Sequence, residues 1–516
     1  MLRISLLLAI GLCQIASAEA ARNTLRLPAV LASHMVLQRD MPVPVWGWAS
    51  PGESVTVQFA GQNKSATADA AGRWQVMLDP MSASAEPATL TVTAGKSVEL
   101  KDVLVGDVWF CSGQSNMQMG LARTDDGAAA VAAANHPNIR LLNVPNHIVE
   151  PGTDIAGSWA VCTPESAERF SGVGYHFGLA LHEELGVPIG LINSSWGATG
   201  IESWTPFAAM QAVEALQPIV DFNPERVAIR EAQVAKYEEE LAAWREVAQA
   251  AKDAGTPVPA QPRLRPSLRP QAYPGACFES MVRPLIPMAL RGVVWYQGES
   301  NFNQGARYTI HLPVMIESWR SSWQAAGGQG QLPFGIVQLP NYRPVQSEPG
   351  DSDWAELREA QRLASRTVDG TGLVVTIDLG EADDGHPKNK RGVGLRAAQW
   401  ALAEVYGNDI PAGGPVLLGH SFENGHVLLT FDEVGTGLKT TDGRPPAEFA
   451  LAGVDGTWHW AQARTDGKSR VAVASPDVPN PVALRYAWAD NPANPNLTND
   501  SGLPASPFEV RLTPKP

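Results

Sequence analysis

The chain has 516 residues, of which 44% are hydrophobic and 18% charged, with a formal net charge of −14. This is material for about three packed domains rather than for a disordered chain. An acidic chain offers no basic face to nucleic acid or to anionic lipid, so neither is expected as a partner.

Residues 1–18, MLRISLLLAIGLCQIASA, have the form of a secretory signal peptide: Arg3, an apolar run from Ile4 to Ile15, and a cleavage motif Ala16-Ser17-Ala18. Leu12 directly before Cys13 is a poor context for lipid attachment. The expected product is therefore soluble, without membrane anchorage, and periplasmic or secreted. Cleavage leaves Cys111, Cys162 and Cys277, an odd number, so this is no disulfide scaffold. No CxxC pair or histidine cluster suggests zinc, and neither metal nor cofactor is expected.

Residues 25–102 read as an antiparallel β module, with Val55, Val57 and Phe59, then Trp74, Val76 and Leu78, alternating with polar neighbours. A second, larger domain is expected over 103–410. It opens on the apolar run Val103 to Phe110, which breaks into Cys111-Ser112-Gly113-Gln114-Ser115-Asn116. A buried strand ending abruptly in Ser, Gly and Asn is a strand-to-turn junction. Ile139 to Val144 and Val187 to Ser194 read as further strands, with a helix over Phe170 to Leu185 between them. A helical insertion is expected over 206–270. Within it a long helix is predicted to be capped by Asn223, with Pro224 in its first turn, and to pack on the core through Val227, Val234, Leu241 and Ala248. Arg291 to Tyr296, Phe334 to Leu339 and Leu373 to Leu379 read as strands. Leu312 to Trp323, Trp354 to Ser365 and Val393 to Tyr406 read as helices between and after them. Alternating strands and helices imply a mostly parallel sheet. Residues 411–516 return to β patterns such as His426 to Phe431.

Four strand ends carry polar turns, at Ser115, at Gly197, at Gln297 and in the loop from Asp383 to His386. In a parallel sheet these ends share one edge, where ligands bind. A serine with an imidazole base and a carboxylate behind it is the apparatus of ester hydrolysis. Ser115 is the expected nucleophile and His386 the base. His136 precedes its strand and lies at the opposite edge, while His176 and His182 fall within a helix. Asp383, three residues before His386, is the preferred orienting acid on turn geometry, with Asp384 the competitor. The backbone N–H of Ser115, the N–H of Gly197 and the side-chain amide of Gln297 are the expected oxyanion donors. Glu299, Asn301 and Trp196 are candidate substrate contacts, with Trp204 and Tyr342 as further sugar platforms.

Four motifs resemble one family. GQSNM at 113–117, NSSWGATGIESW at 193–204, WYQGESN at 295–301 and HPKNK at 386–390 are similar to the sialate O-acetylesterase group of SGNH hydrolases. The resemblance implies a flavodoxin-like three-layer α/β sandwich with accessory β-sandwich or jelly-roll modules. It also implies metal-free removal of acetyl groups from sugar hydroxyls, on acetylated sialic acids or on plant polysaccharides such as xyloglucan or xylan. The chain departs from relatives at Ala198, where a second glycine is common, and in the loop 381–385. Two other readings compete: a glycosidase using Glu202 and Glu299 as paired acids, and a non-catalytic carbohydrate-binding protein.

Overall fold

The computed structural model describes residues 25–150, 152–262 and 269–512; the expected leader, residues 1–18, lies outside them. Its centre is a seven-stranded array built from β1 (Lys96–Gly113), β2 (His136–Asn143), β3 (Trp159–Cys162), β4 (Ile189–Ser195), β5 (Gly292–Tyr296), β6 (Phe334–Val337) and β7 (Thr371–Val374). The order across the sheet is β7-β6-β5-β1-β4-β2-β3. All neighbours run parallel except β3, which returns antiparallel to β2.

Alternation along β1 explains the layering. Val108 and Phe110 face one side, where Phe110 lies 5.7 Å from Trp319 of helix α3 (Gly305–Ala325). Trp109 and Cys111 face the other, where Trp109 meets Phe177 of α1 (Gly172–Leu185) at 5.0 Å and Trp400 of α5 (Lys390–Trp400) at 6.0 Å. Helix α4 (Asp353–Thr367) completes the α3 side. Every one of these four β1 residues is buried, as a strand covered on both faces requires. The result is the expected three-layer α/β sandwich with a doubly wound parallel sheet.

From β1 the chain builds β2 and β4 on one side, then crosses to build β5, β6 and β7 on the other. The winding therefore reverses beside β1, and its carboxyl end is the switch point at which such sheets bind ligands. Gly113 closes that strand at φ +139°, and a Cβ there would come within 2.0 Å of the Tyr296 carbonyl. Only glycine lets β1 and β5 end side by side.

The first half of β1 pairs with the N-terminal strands Val36–Gln38 and Ser84–Ala94. The position expected to divide the two domains, 102/103, thus falls inside one continuous strand. C-terminally, two four-stranded antiparallel sheets enclose a core that includes Leu429, Phe431, Val471, Leu484 and Tyr486.

Several expectations are corrected. The long helix α2 runs Gln217–Asp253 and starts ahead of Asn223, with Pro224 inside it. Pro218 occupies the first turn instead, and Leu216 and Val220 bury against Met210, which fixes the start there. Its predicted core seam is mostly not in the core: Val227 is 37% exposed and only Ala248 is buried. Trp244 donates its indole N–H to the Pro259 carbonyl at 2.9 Å, so the returning segment lies along the helix there. β7 ends at Val374, short of Leu379, and β3 was not foreseen. Trp204 is fully buried and packs edge-on to Trp295, a core residue rather than a sugar platform.

Candidate active site

Ser115 opens a single helical turn, Ser115–Gln118, directly beyond β1. His386 lies in the loop between β7 and α5. The two are 271 positions apart, and the imidazole Nε2 lies 2.8 Å from Ser115 Oγ, within hydrogen-bonding reach. Both line an open cleft of about 630 Å³.

The carboxylate beside the imidazole is Asp384, not Asp383. Asp384 Oδ1 accepts the His386 backbone N–H at 2.8 Å and stands 3.6 Å from Nδ1. This is an Asx-type turn: a carboxylate bonding the backbone two residues on swings towards that residue's side chain. Asp383, one position earlier, is exposed and bonds nothing on His386.

The three oxyanion candidates separate. Gly197 faces the nucleophile so closely that a Cβ on it would be 3.2 Å from Ser115 Cβ. Its N–H donates to Gln118 Oε1 at 2.8 Å, so a side-chain carbonyl sits where an oxyanion would be received. Gln297 does not face the cleft. It is fully buried, and its NH2 group donates to Asn301 Oδ1 (2.8 Å), the Thr199 carbonyl (3.1 Å) and Gln114 Oε1 (3.2 Å). What it holds is Gln114, whose own amide nitrogen stands 3.5 Å from Ser115 Oγ.

Among the expected substrate contacts, Glu299 and Trp196 line the cleft. Asn301 does not: it is buried, accepting from Gln297 and from the Ile201 N–H (2.9 Å) and donating to Glu202 at 3.1 Å. Burial holds the Glu299 carboxyl above the usual carboxylate range. One of its oxygens accepts from Asn116 Nδ2, and the other is buried with no hydrogen-bond partner among the described residues. Glu202 faces Asn301 rather than the cleft, which leaves the paired-acid reading without its second carboxylate.

The far wall of the cleft is aromatic, formed by Phe302, Tyr342 and Trp354. Arg343 has a positive φ of 78° and spreads its guanidinium over Phe302 at 5.1 Å. Its charge is met by Asp490 at 2.8 Å, from the C-terminal region. Nearby, the fully buried Arg358 donates to the Ala489 and Asp490 carbonyls at 2.7 and 2.8 Å. Sequence reasoning ranked Asp384 behind Asp383 and missed Gln118, Asn116, Phe302 and Trp354. Only Asn116 carried a local signal, as the residue directly after the candidate nucleophile. Among the described residues no cluster of three or more His, Cys, Asp or Glu is arranged to hold a metal, and no helix is long and apolar enough to cross a membrane.

A doubly wound sheet with a serine and a histidine in contact at its switch point is the framework of a serine hydrolase, here with the SGNH-like esterase fold. Residues 105–244 match the family model described as carbohydrate esterase, sialic acid-specific acetylesterase. A carbohydrate acetylesterase from Xanthomonas citri is 35% identical in sequence, with a TM-score of 0.79 over 94% of this chain and 99% of that one. Sialate O-acetylesterases of Mus musculus and Homo sapiens are each 28% identical over 95% of this chain and 94% and 93% of theirs. The chain belongs to this family of carbohydrate O-acetylesterases and is a carboxylic ester hydrolase.

Proposed function

We propose that the protein removes acetyl groups from the hydroxyls of neutral acetylated oligo- or polysaccharides, of the xyloglucan or xylan type, through an acetyl-serine intermediate. The 2.8 Å contact between Ser115 Oγ and His386 Nε2 carries this reading. His386 takes the Ser115 proton as Oγ attacks the acetyl carbonyl, and returns it to the departing sugar oxygen. Water, deprotonated by the same imidazole, then attacks the acetyl-serine and releases acetate. Asp384 orients the imidazole. The backbone N–H groups of Ser115 and Gly197 receive the oxyanion once the substrate displaces the Gln118 amide.

A neutral glycan fits the cleft because it is open, walled by aromatic rings, and its Arg343 is already paired with Asp490. Glu299 and Trp196 contact the sugar in this reading. Acetylated sialosides are the second reading, favoured by Arg269 on the cleft lining. The N-terminal leader pattern supports action in the periplasm or after secretion. Acetate release from acetylated xylan, xyloglucan oligosaccharides and O-acetyl sialosides, with Ser115→Ala as control, tests the proposal. Turnover on the sialosides alone would reverse the order of the two readings, and undiminished turnover by Ser115→Ala would end the mechanism.

A further inference from the structure

His386 presents a difficulty. Its side chain is 50% exposed, so packing alone does not hold the imidazole against Ser115. Its position must come from the backbone of its loop. The bond that ties this loop to the nucleophile turn comes from Asn116. Asn116 is fully buried and directly follows Ser115. Its Nδ2 donates to the carbonyl of Gly385, the residue before His386, at 3.0 Å, and also to the Glu299 carboxylate. Its Oδ1 accepts from Lys390 Nζ at 2.5 Å. Lys390 is fully buried at the start of α5, with its ammonium 5.4 Å from the Tyr296 ring centroid.

The chemistry of the three partners leaves one choice of side chain. Lys390 Nζ donates to Oδ1 and the Gly385 carbonyl can only accept, so the central group accepts on one side and donates on the other. An amide does both. A carboxylate would accept from Lys390 but meet the Gly385 carbonyl and the Glu299 carboxylate with no proton to offer. A leucine would leave all three partners unmatched.

We propose that Asn116 is a positioning residue for catalysis: anchored by Lys390, it holds the Gly385–His386 backbone at the height where Nε2 meets Ser115 Oγ. The proposal rests on the serine–histidine reading above. Misplacing a catalytic group by about 1 Å costs of the order of 100-fold in rate, whereas the aromatic wall of Phe302, Tyr342 and Trp354 is untouched by this contact.

The test compares Asn116→Asp and Asn116→Leu with wild type on 4-nitrophenyl acetate and on an acetylated oligosaccharide, with thermal midpoints measured alongside. Both variants should lose roughly 10- to 100-fold in kcat with KM within about twofold. Asn116→Asp, nearly isosteric and still an acceptor for Lys390, should keep a cooperative unfolding transition. A side chain that merely fills space would tolerate aspartate, so a kcat within threefold of wild type in that variant overturns the proposal. So does a loss confined to KM, or a loss in both variants matched by collapse of the fold. Ser115→Ala separates the two levels: if it retains turnover, the underlying serine–histidine reading fails; if it is inert while Asn116→Asp is active, only the positioning role fails.

Discussion

Asp384→Asn isolates the charge behind the imidazole. The substitution keeps an oxygen that can accept the His386 backbone N–H, so the turn survives and only the negative charge is removed. The carboxylate stands 3.6 Å from Nδ1. At that separation an imidazolium–carboxylate pair gains about 1.2 kcal/mol in a water-like dielectric and about 4.6 kcal/mol at an effective value of 20. The two side chains are 50% and 45% exposed, so the lower end applies, and about 1–2 kcal/mol of transition-state stabilisation is at stake. The expected loss is roughly 5- to 30-fold in kcat/KM, far below the ~10⁴-fold seen when a buried triad aspartate is neutralised. Asp383→Asn, whose side chain faces solvent, should stay within about twofold. Initial rates on an acetylated oligosaccharide at pH 7.5, with circular dichroism to verify folding, measure both. A tenfold loss in Asp383→Asn beside an unaffected Asp384→Asn would refute the assignment and return the role to Asp383.

Two further outcomes follow from burial. Desolvation pushes the thiols of Cys111 and Cys277 up to about 12 and that of Cys162 up to about 11; none should react quickly with Ellman's reagent at pH 8 in the native protein, and all three should react in guanidinium. A rapid native phase from any of them would contradict the packing. Burial also pulls Lys390 down to about 7 from 10.5. Below pH 7 the folded and unfolded chains both carry this proton and the cost of burying the charge is constant. Above pH 7 the folded chain releases the proton while the unfolded chain keeps it, so stability rises with pH up to the unfolded value. Between pH 7 and 9 wild type should gain about 2 kcal/mol relative to Lys390→Met in denaturant unfolding, and parallel curves for the two proteins would contradict this.

The serine and histidine could be read from the sequence because each sits in a polar turn closing an apolar strand, a contrast visible within about ten residues. The doubly wound sheet followed from the same alternation of strands and helices. Which way a side chain points within such a turn is not a local property. Gln297 and Asn301 turn inward because Thr199, Ile201 and Glu202, about a hundred positions earlier, supply their partners. Asp383 and Asp384 are adjacent and chemically identical, and only the bond to the His386 N–H distinguishes them. The start of α2 was misjudged because Pro218 and Pro224 both suit a first turn, and the burial of Leu216 and Val220 decides between them. β3 spans four residues, too few to show a period.

The wall opposite the nucleophile is held in place by the end of the polypeptide. Arg343 and Arg358 both reach to Asp490, and Gln338 donates to Ser506 at 2.8 Å. The aromatic wall and the serine–histidine pair are thereby braced by different stretches of chain. Exchanges around Asp490 and Ser506 can shift that wall while the serine and imidazole stay as they are. The same division means that trimming the protein back to its α/β core would leave a nucleophile facing an unsupported rim.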